Sequence, residues 1–486
     1  MTPSPAVGSV GQTPPEPIEL RGVNVVDTRT GKISARQDVG IADGRIVSMA
    51  NTGASPLLGG TTRIDVQGKF LVPGFIDMHV HALNAADPSD ALALMLANGI
   101  TGFRQMSGTT KLLADRKAGV LNLPEASPAL LALCGDMLSP VNSATPESAT
   151  AAIAGQMVHG ADFIKIAAAG VEQFAAAQAE AKRLGIPLAG HLPIGIDPVV
   201  ASKSGIHSIE HLGPGIVMIA ACSTDEEAIR AQLTATPEIA RPSVNLPFID
   251  SIFDAILKRI VINPVRRTTP ESARLLQHAI DTFSLEKART LADVFIQNGT
   301  WHCLTLIRQL TSEQADLPRF RGDPNLRYVS NAAQRNWRKA TADFAKFPPE
   351  TKSTLKQEYE LQLELAKLFD DAGVKMTAGT DSTGAGWVIP GFALHAEFDE
   401  LDSAGFAPLR VLQLATLNGA EFLDATDSLG TVAVGKLADL VLLDANPLEN
   451  VQNLHTISGV IRGGRYYSSG DLDSLKRRVE ASRNIE

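Results

Sequence analysis

Two histidines, His79 and His81, stand two positions apart at the end of the apolar stretch LVPGFIDMHVH, residues 71–81. Side chains alternate along a β-strand, so both imidazoles would project from the same face. A lone histidine is more often a hydrogen-bonded core residue, but two on one face, behind a Pro73-Gly74 turn, favour a metal site. Such a site needs further ligands, which must come from later in the chain.

Residues of suitable chemistry follow at the ends of predicted strands, and they are Lys165, His191, His211 and Asp381. Neutral imidazoles and a carboxylate suit Zn²⁺ or a similar first-row metal, and two such ions could share and acidify one water. A lysine ammonium would be repelled by the ions, but a neutral lysine amine reacts with carbon dioxide to form a carbamate, whose two anionic oxygens could bridge them. In the alternative interpretation, Lys165 packs in the core and pairs with Asp162 or another carboxylate.

Eight strand-like segments alternate with helical stretches through the middle of the chain. They are residues 71–81, 100–106, 129–137, 162–168, 186–192, 207–212, 301–307 and 374–381. Eight β/α units predict a parallel TIM (β/α)8 barrel, in which catalytic groups lie at the C-terminal ends of the strands. All of the candidate ligands would then meet at one mouth.

Short strands with turn signals dominate both ends of the chain, with an Asp43-Gly44 hairpin signal in the first group. One small β-sandwich formed by both termini would account for both groups, with the barrel inserted between them. The predicted units are a flexible leader (1–17), a β-sandwich domain (18–70 with 427–468), a barrel with helical cap insertions (71–426) and a C-terminal helix (469–486).

Composition excludes several classes of function. The 486 residues are 44% hydrophobic and 20% charged, as in an ordinary globular protein. A formal charge of -9 without a Lys/Arg cluster argues against a nucleic-acid partner, and no apolar run of about 18 residues predicts a membrane span. The widely separated Cys134, Cys222 and Cys303 are interpreted as core thiols. The sequence as it stands predicts a cytoplasmic protein, whereas removal of a signal peptide would make it periplasmic or secreted.

Several motifs occur in a characteristic order, and they are VPGFIDMHVH, IKI, GHL, SIEHL, AGTDS and LATLNGAEFLDATDSLGTVAVGKLADLVLLDANPLENV. On these motifs the chain resembles the amidohydrolase superfamily, in its imidazolonepropionase-like and prolidase-like branch of metal-dependent hydrolases. The resemblance covers residues 18–467, nearly the whole chain. It implies a distorted TIM barrel with a β-sandwich domain and a metal centre.

The resemblance also implies roles for the candidate ligands. In binuclear relatives, the H-x-H pair and the aspartate bind one metal, two later histidines bind the other, and a carboxylated lysine bridges them. These roles fall on His79, His81 and Asp381, on His191 and His211, and on Lys165. The implied cofactors are two divalent ions, Zn²⁺ first among them, and carbon dioxide as the carbamate. Asp381 would also act as the proton shuttle.

The chain departs from the family pattern at two places. Relatives commonly carry an Arg-Asp pair after strand two, where this chain has Arg104-Gln105, so a charge is missing at the expected pocket edge. Two long helical segments, residues 237–260 and 354–373, exceed what barrel connections require. Part of them is interpreted as a cap over the mouth, although the second could equally be an outer layer because Leu361, Leu365 and Leu368 form an apolar stripe.

Substrate contacts are predicted at strand ends and in the cap, at Arg104, Arg308, Tyr328, Trp387 and His395. An arginine there would hold a substrate carboxylate in a bidentate pair, as suits a peptide C-terminus.

Four functions are compatible with this sequence. The first is a binuclear hydrolase that cleaves the C–N bond of a small amide, such as a dipeptide or an N-acyl amino acid. The second uses the same site on an ester, lactone, carbamate or phosphotriester. The third is a mononuclear deaminase or cyclic amidase, in which Lys165 would have no role. The fourth is a non-enzymatic assembly protein, disfavoured because all six ligand positions are filled. The partner is a small molecule, and a homo-oligomer is compatible with each reading.

Overall fold

The computed structural model describes residues 15–54, 61–85, 87–213, 215–234 and 261–483. Most of the predicted leader and residues 237–260 of the first predicted cap segment lie outside the described residues. No helix of the described ranges is long and apolar enough to cross a membrane.

The strands, labelled β1 to β16 in chain order, are Ile18–Val26, Ile33–Ala42, Arg45–Asn51, Thr62–Asp65, Phe70–Pro73, Phe75–Val80, Ile100–Gln105, Ala129–Leu133, Ile164–Ile166, Leu188–Gly190, Ser208–Glu210, Trp301–Cys303, Met376–Thr377, Leu440–Leu443, Ile457–Arg462 and Arg465–Ser468.

The α-helices, labelled α1 to α17, are Ser89–Ala97, Thr110–Lys117, Pro146–Val158, Val171–Leu184, Pro198–Ser204, Ile216–Ala221, Glu226–Thr234, Pro270–Asp281, Leu285–Asn298, Leu306–Glu313, Pro318–Arg321, Asn331–Phe344, Pro349–Ala372, Phe392–Ser403, Pro408–Leu414, Leu417–Phe422 and Ser469–Arg483. Short 3-10 helices cover Ala82–Asn84, Pro264–Arg267, Pro324–Tyr328 and Val451–His455.

A curled parallel sheet occupies the middle of this mixed α/β fold. Strands β9 to β13 pair in sequential order, and β6, β7 and β8 do the same. Single parallel bridges continue this order from Cys134 to Phe163 and from Val80 to Ser382. The strands coincide with the eight predicted segments, so their C-terminal ends share one edge.

Both ends of the chain contribute to a second, mixed sheet, with the strand order β16-β15-β14-β5-β1-β2-β3 and β4 beside β1. It has its own apolar cluster, which includes Leu20, Ile41, Leu440 and Ile461. The stretch 71–81 was predicted as one strand, and this prediction was wrong in detail. Its first half belongs to β5 of the mixed sheet and its second half to β6 of the parallel sheet, with Gly74 between them.

Helix α13 packs against helices α8, α9 and α10. Its Leu365 and Phe369 join the main apolar core together with Phe295 of α9, and its Leu361 joins a smaller cluster. These contacts are those of an outer helical layer, which was one of the two readings of this segment.

Gly190 ends β10 immediately before His191. Its φ is +144°, and a Cβ at this position would lie 2.1 Å from the carbonyl oxygen of Ile166 on β9. Only glycine lets the two backbones approach this closely, so Gly190 fixes the position from which His191 projects.

We expect Gly190→Ala to lower the free energy of unfolding by about 3 kcal/mol or more, because the added methyl group forces β10 away from β9. The matched control is Gly155→Ala in helix α3, where a Cβ would meet no atom within 4 Å. The free energy of unfolding of that variant should rise by about 0.5–1 kcal/mol, because alanine favours a helix more than glycine does. Chemical denaturation measures both, and equal effects of the two substitutions would contradict the tight β9–β10 contact.

Candidate metal centre

The four histidines predicted as ligands converge at the C-terminal edge of the parallel strands. His79 lies in β6 and His81 follows it, while His191 and His211 directly follow β10 and β11. The ring centroids are 5.4 Å apart for His79 and His81, 4.5 Å for His79 and His211, and 5.0 Å for His191 and His211. The structure therefore gathers all four imidazoles into one cluster.

Asp381 completes this cluster. Its Oδ1 atom lies 3.0 Å from Nε2 of His81 and 3.5 Å from Nε2 of His79. Ligand atoms of His79, His211 and Asp381 all lie within 4.8 Å of one another, and the three residues are buried. Burial tends to raise the pKa of Asp381, but the hydrogen bond to His81 and the nearby imidazoles hold this pKa well below its usual range. The carboxylate is therefore ionised.

Two of the imidazoles are held in a defined tautomer. Nδ1 of His79 lies 2.7 Å from Oε2 of Glu210, and Nδ1 of His191 lies 2.7 Å from the carbonyl oxygen of Ala167. Both partners are acceptors, so each Nδ1 carries the proton and each Nε2 presents its lone pair. This arrangement is the one that metal-binding histidines adopt.

Hydroxyl groups hold the other two imidazoles. Nδ1 of His81 lies 2.6 Å from Oγ of Ser107, which donates its own proton to Oδ1 of Asn84 at 2.8 Å. Ser107 therefore accepts from His81, whose Nε2 atom faces the Asp381 carboxylate. Nδ1 of His211 lies 2.6 Å from Oγ1 of Thr305. The 3.0 Å between Nε2 of His81 and Oδ1 of Asp381 fits either a hydrogen bond from a protonated His81 or two ligands that share one divalent ion, so this donor set fits a divalent metal.

Burial keeps three of these histidines, His79, His191 and His211, neutral. It lowers the pKa of His79 to about 4 and lowers the pKa of His191 and of His211 well below the usual value. A neutral imidazole is the form that binds a metal ion, so the protein environment favours the ligand form at neutral pH.

Lys165 lies on β9 with 1% of its surface exposed, and its Nζ has no hydrogen-bond partner among the described residues. Burial lowers the pKa of this amine. The alternative partner, Asp162, instead binds the guanidinium of Arg116 and the backbone N–H of Leu133. A buried amine without a carboxylate partner has the chemistry that carbamate formation requires.

Arg104 is not at a pocket edge but beneath the histidines. Its Nη2 atom donates to both carboxylate oxygens of Glu210 at 2.9 Å, and its Nε atom donates to the carbonyl oxygen of Met78 at 2.6 Å. Neither Arg104 nor Glu210 is exposed to solvent. Burial tends to raise the pKa of Glu210, but Arg104 and His79 hold it well below its usual range. The result is a buried chain of charge-assisted contacts, Arg104–Glu210–His79.

Arg308 of helix α10 contacts Asp381 directly, since its Nε atom donates to Oδ2 at 2.9 Å. Its Nη2 atom donates to the carbonyl oxygen of Val261 at 2.7 Å, and its Nη1 atom donates to Ser312. All three guanidinium nitrogens are thus engaged. Arg308 orients the carboxylate, so that Oδ1 faces the histidines.

The backbone is strained at several of these positions. His211, Thr305 and Asp381 have φ values of 58°, 50° and 60°, in the left-handed region that non-glycine residues rarely adopt. Such strain commonly marks functional sites, because it persists only where the surrounding structure stabilises it.

The remaining predicted substrate contacts lie elsewhere. Tyr328 stacks on Phe392 at 5.4 Å in a small cluster with the C-terminal helix. Trp387 is buried and donates from Nε1 to Oγ1 of Thr341 at 3.0 Å.

His395 packs against Phe75 at the start of β6, and its Nε2 atom lies 2.9 Å from the carbonyl oxygen of Asn98. His79 and His81 lie at the other end of that strand. Burial lowers the pKa of His395 to about 3. Because it lies at the wrong end of the sheet, His395 does not join the cluster.

Three supporting residues were missed in the sequence. Glu210 precedes His211 in the SIEHL motif, which offered the only local signal, whereas Ser107 and Thr305 come from separate loops with no signature. Cys303 was interpreted only as a core thiol, and it is buried with its Sγ atom within 4.8 Å of His79 and Glu210.

Parts of this sequence and its fold are similar to those of known proteins. Residues 362–466 match the sequence model of the Amidohydrolase family. Bottromycin amidohydrolase has a similar solved structure, with a TM-score of 0.68 at 22% identity over 96% of this chain and 90% of that one. A Xaa-Pro dipeptidase solved with bound methionine gives a TM-score of 0.58 at 19% identity over 93% of this chain and 100% of that one. The resemblance to amidohydrolases is confirmed.

Curated relatives match shorter stretches of this amidohydrolase-like chain. An adenine deaminase of Paracoccus denitrificans is 35% identical over 89 residues, which are 18% of this chain and 15% of the deaminase. A dihydroorotase of Pelotomaculum thermopropionicum is 47% identical over 62 residues, 13% of this chain and 14% of that protein. An imidazolonepropionase of Halobacterium salinarum is 42% identical over 62 residues, which are 12% of this chain and 15% of that protein. The chain thus spans about a seventh of the length of the curated relatives it matches.

We expect Glu210→Gln to weaken metal binding by about 10- to 100-fold, because an amide holds the His79 tautomer less firmly than a carboxylate. The variant should also lose about 3–5 kcal/mol of stability, since Arg104 is left buried without its counter-charge. Zn²⁺ titration of the folded protein measures the first effect and denaturation the second.

The control for this variant is Glu358→Gln, a second buried glutamate whose pKa is raised by burial to about 8. A protonated carboxyl resembles an amide, so metal affinity should not change. Wild-type affinity in Glu210→Gln would show that Glu210 does not support the ligand.

Proposed function

We propose that this chain is a metal-dependent amidohydrolase that cleaves the C–N bond of an amide or peptide-like small substrate, such as an N-acyl amino acid or a dipeptide. The observation that supports it is the set of four imidazoles held through Nδ1, with their Nε2 atoms left for a metal beside the ionised Asp381. The amidohydrolase family match and the prolidase-like fold neighbours agree with this reading.

We interpret the curled sheet as a distorted TIM (β/α)8 barrel, and the mixed sheet as a β-sandwich domain built from both termini. The proposed boundaries are a leader (1–17), the sandwich (18–70 with 427–468), the barrel (71–426) and a terminal helix (469–486). The partner is a small molecule, without nucleic acid or membrane, and the chain can work as a monomer or a homo-oligomer.

The proposed cofactors are two divalent ions, Zn²⁺ first among them, with carbon dioxide as a carbamate on Lys165. One ion would be held by His79, His81 and Asp381, the other by His191 and His211, and Lys165 would contribute to both. Bound ions supply an acidified water and a Lewis acid for the carbonyl group of the substrate.

The side chains of the protein handle the proton. Asp381 is ionised and can take a proton from the attacking water and pass it to the leaving nitrogen. Arg308 holds this carboxylate in one orientation through Oδ2, so that Oδ1 stays among the imidazoles. Helix α10 and the Arg104–Glu210 pair keep bulk water away from the inner side of the cluster, since both are buried.

The alternatives keep the same residues. Hydrolysis of an ester, lactone, carbamate or phosphotriester needs the same binuclear site and differs only in the bond that is cleaved. The other alternative is a mononuclear deaminase or cyclic amidase, and proteins named adenine deaminase and dihydroorotase are among the curated relatives. The buried amine of Lys165, which has no hydrogen-bond partner in the described part of the chain, favours the binuclear alternative.

Metal analysis combined with a substrate panel tests the proposal. Protein loaded with Zn²⁺ is offered N-acyl amino acids, dipeptides and aryl esters. Metal-dependent turnover of the amides, abolished by chelation and restored by Zn²⁺, is the expected result. Turnover of the aryl esters alone, or amide turnover that survives chelation, would refute the assignment.

For Lys165, we expect protein prepared with Zn²⁺ and bicarbonate to hold about two metal ions per chain. Lys165→Ala should lower this occupancy because the anionic bridge is lost, and short carboxylic acids should restore part of it. The exposed Lys203→Ala serves as control and should bind metal like the wild type. One tightly bound ion in an active enzyme, unchanged in Lys165→Ala, would favour the mononuclear alternative.

For Asp381, Asp381→Asn should keep most of the metal and the fold but lose on the order of 10² to 10⁴ in kcat. The amide retains one ligand oxygen but cannot accept a proton, and this loss is the usual share of general acid–base catalysis. Asp399→Asn, half-buried beside His455, is the matched control and should keep normal turnover. Near-normal turnover in a fully metallated Asp381→Asn would exclude Asp381 as the proton shuttle.

A further inference from the structure

Two arginines were expected to hold a substrate carboxylate, and neither is available for it. Arg104 is fully buried and bound to Glu210. Arg308 is 6% exposed, and its three nitrogens are engaged by Asp381, Val261 and Ser312. A bidentate grip on a carboxylate would require breaking one of these sets of contacts.

Exposed aliphatic side chains lie near two histidines of the cluster, one along the chain and one in space. Ile194 follows His191 by three residues and is 54% exposed. Val261 is 43% exposed, and a Cβ added to Gly384 would lie 3.1 Å from its Cγ1 and 3.9 Å from Cδ2 of His81. The side chains of Val261 and His81 therefore both lie next to Gly384. Large apolar side chains exposed beside a polar cluster commonly mark a ligand-binding surface.

Two more exposed aliphatic side chains follow β8 and β9 along the chain. Val141, in the segment after β8, is 50% exposed, and Val171 begins helix α4 beside Gly195. Ala168 and Ala169, which follow β9, are half-buried and small. His191, three residues before Ile194, is itself partly exposed. We call Val141, Val171, Ile194 and Val261 the apolar rim.

We propose that the substrate is an amide without a free carboxylate at the scissile bond, and that it carries an aliphatic or aromatic group bound by the apolar rim. This inference rests on the proposed amidohydrolase function and narrows its substrate class, away from free dipeptides and N-acyl amino acids. Among the described residues, the two arginines that contact the cluster serve Asp381 and Glu210, so recognition is by apolar contact.

Turnover of two matched series tests this substrate class. In the first, the acyl chain of N-acyl-glycinamide is lengthened from acetyl to octanoyl, and in the second the alkyl chain on the amine side is lengthened to the same extent. We expect kcat/KM to rise at least tenfold in one of the series, because each buried methylene adds to binding. The kcat/KM of the corresponding N-acyl-glycine, which has a free carboxylate, should exceed that of the glycinamide by less than threefold. A flat response in both series, or a tenfold preference for the carboxylate, would overturn the proposal.

A binding assay separates this inference from the proposed reaction. Octanohydroxamate should bind the Zn²⁺-loaded protein at least tenfold more tightly than acetohydroxamate, whether or not any amide is hydrolysed. Ile194→Asp and Val261→Asp should reduce the ratio of the two dissociation constants, acetohydroxamate over octanohydroxamate, at least fivefold. Ile194→Leu should retain this ratio.

Val434→Asp is the control for these substitutions, because Val434 is 58% exposed next to the mixed sheet. It should leave the ratio unchanged. Equal binding of the two hydroxamates, or equal effects of the rim and control substitutions, would show that the rim does not bind substrate.

Discussion

The buried contact between Arg104, Glu210 and His79 is the constraint on which the candidate site depends. A guanidinium and a carboxylate without solvent exposure are stable only when each satisfies the other, and here the carboxylate also fixes the proton on Nδ1 of His79. The three residues come from β7, β11 and β6, so the contact ties together strands that are distant in sequence. The contact that closes the parallel sheet therefore also orients a candidate metal ligand.

Helix α10 supplies a second layer of support from the opposite side. Thr305 at its start holds His211, Gln309 donates to the carbonyl oxygen of His211 at 3.0 Å, and Arg308 holds Asp381. One rigid, fully buried element thus positions a residue from each of the two proposed metal subsites. The relative placement of the subsites is set by this helix as much as by the strands.

The sequence predicted the strands and the six ligand candidates, because buried strands are apolar and their ends carry the same few residue types. It did not predict Glu210 as an interior residue, since strict alternation places it opposite His211. The left-handed φ values of His211 and Leu212 turn the chain so that both side chains reach the cluster. The sequence did not show in which direction the helices that carry Arg308 and His395 run. Helix α10 brings Arg308 to Asp381, whereas helix α14 carries His395 to the far end of β6.

The passage from β5 to β6 through Gly74 has a consequence for biosynthesis. Strand β5 lies between β1 and β14, and β14 comes from residues 440–443. During translation, the strand that carries His79 therefore emerges early, but its preceding segment lacks one neighbour until residues 440–443 have been made. The order of synthesis therefore separates the first two candidate ligands from the strand that completes the support of the segment before them.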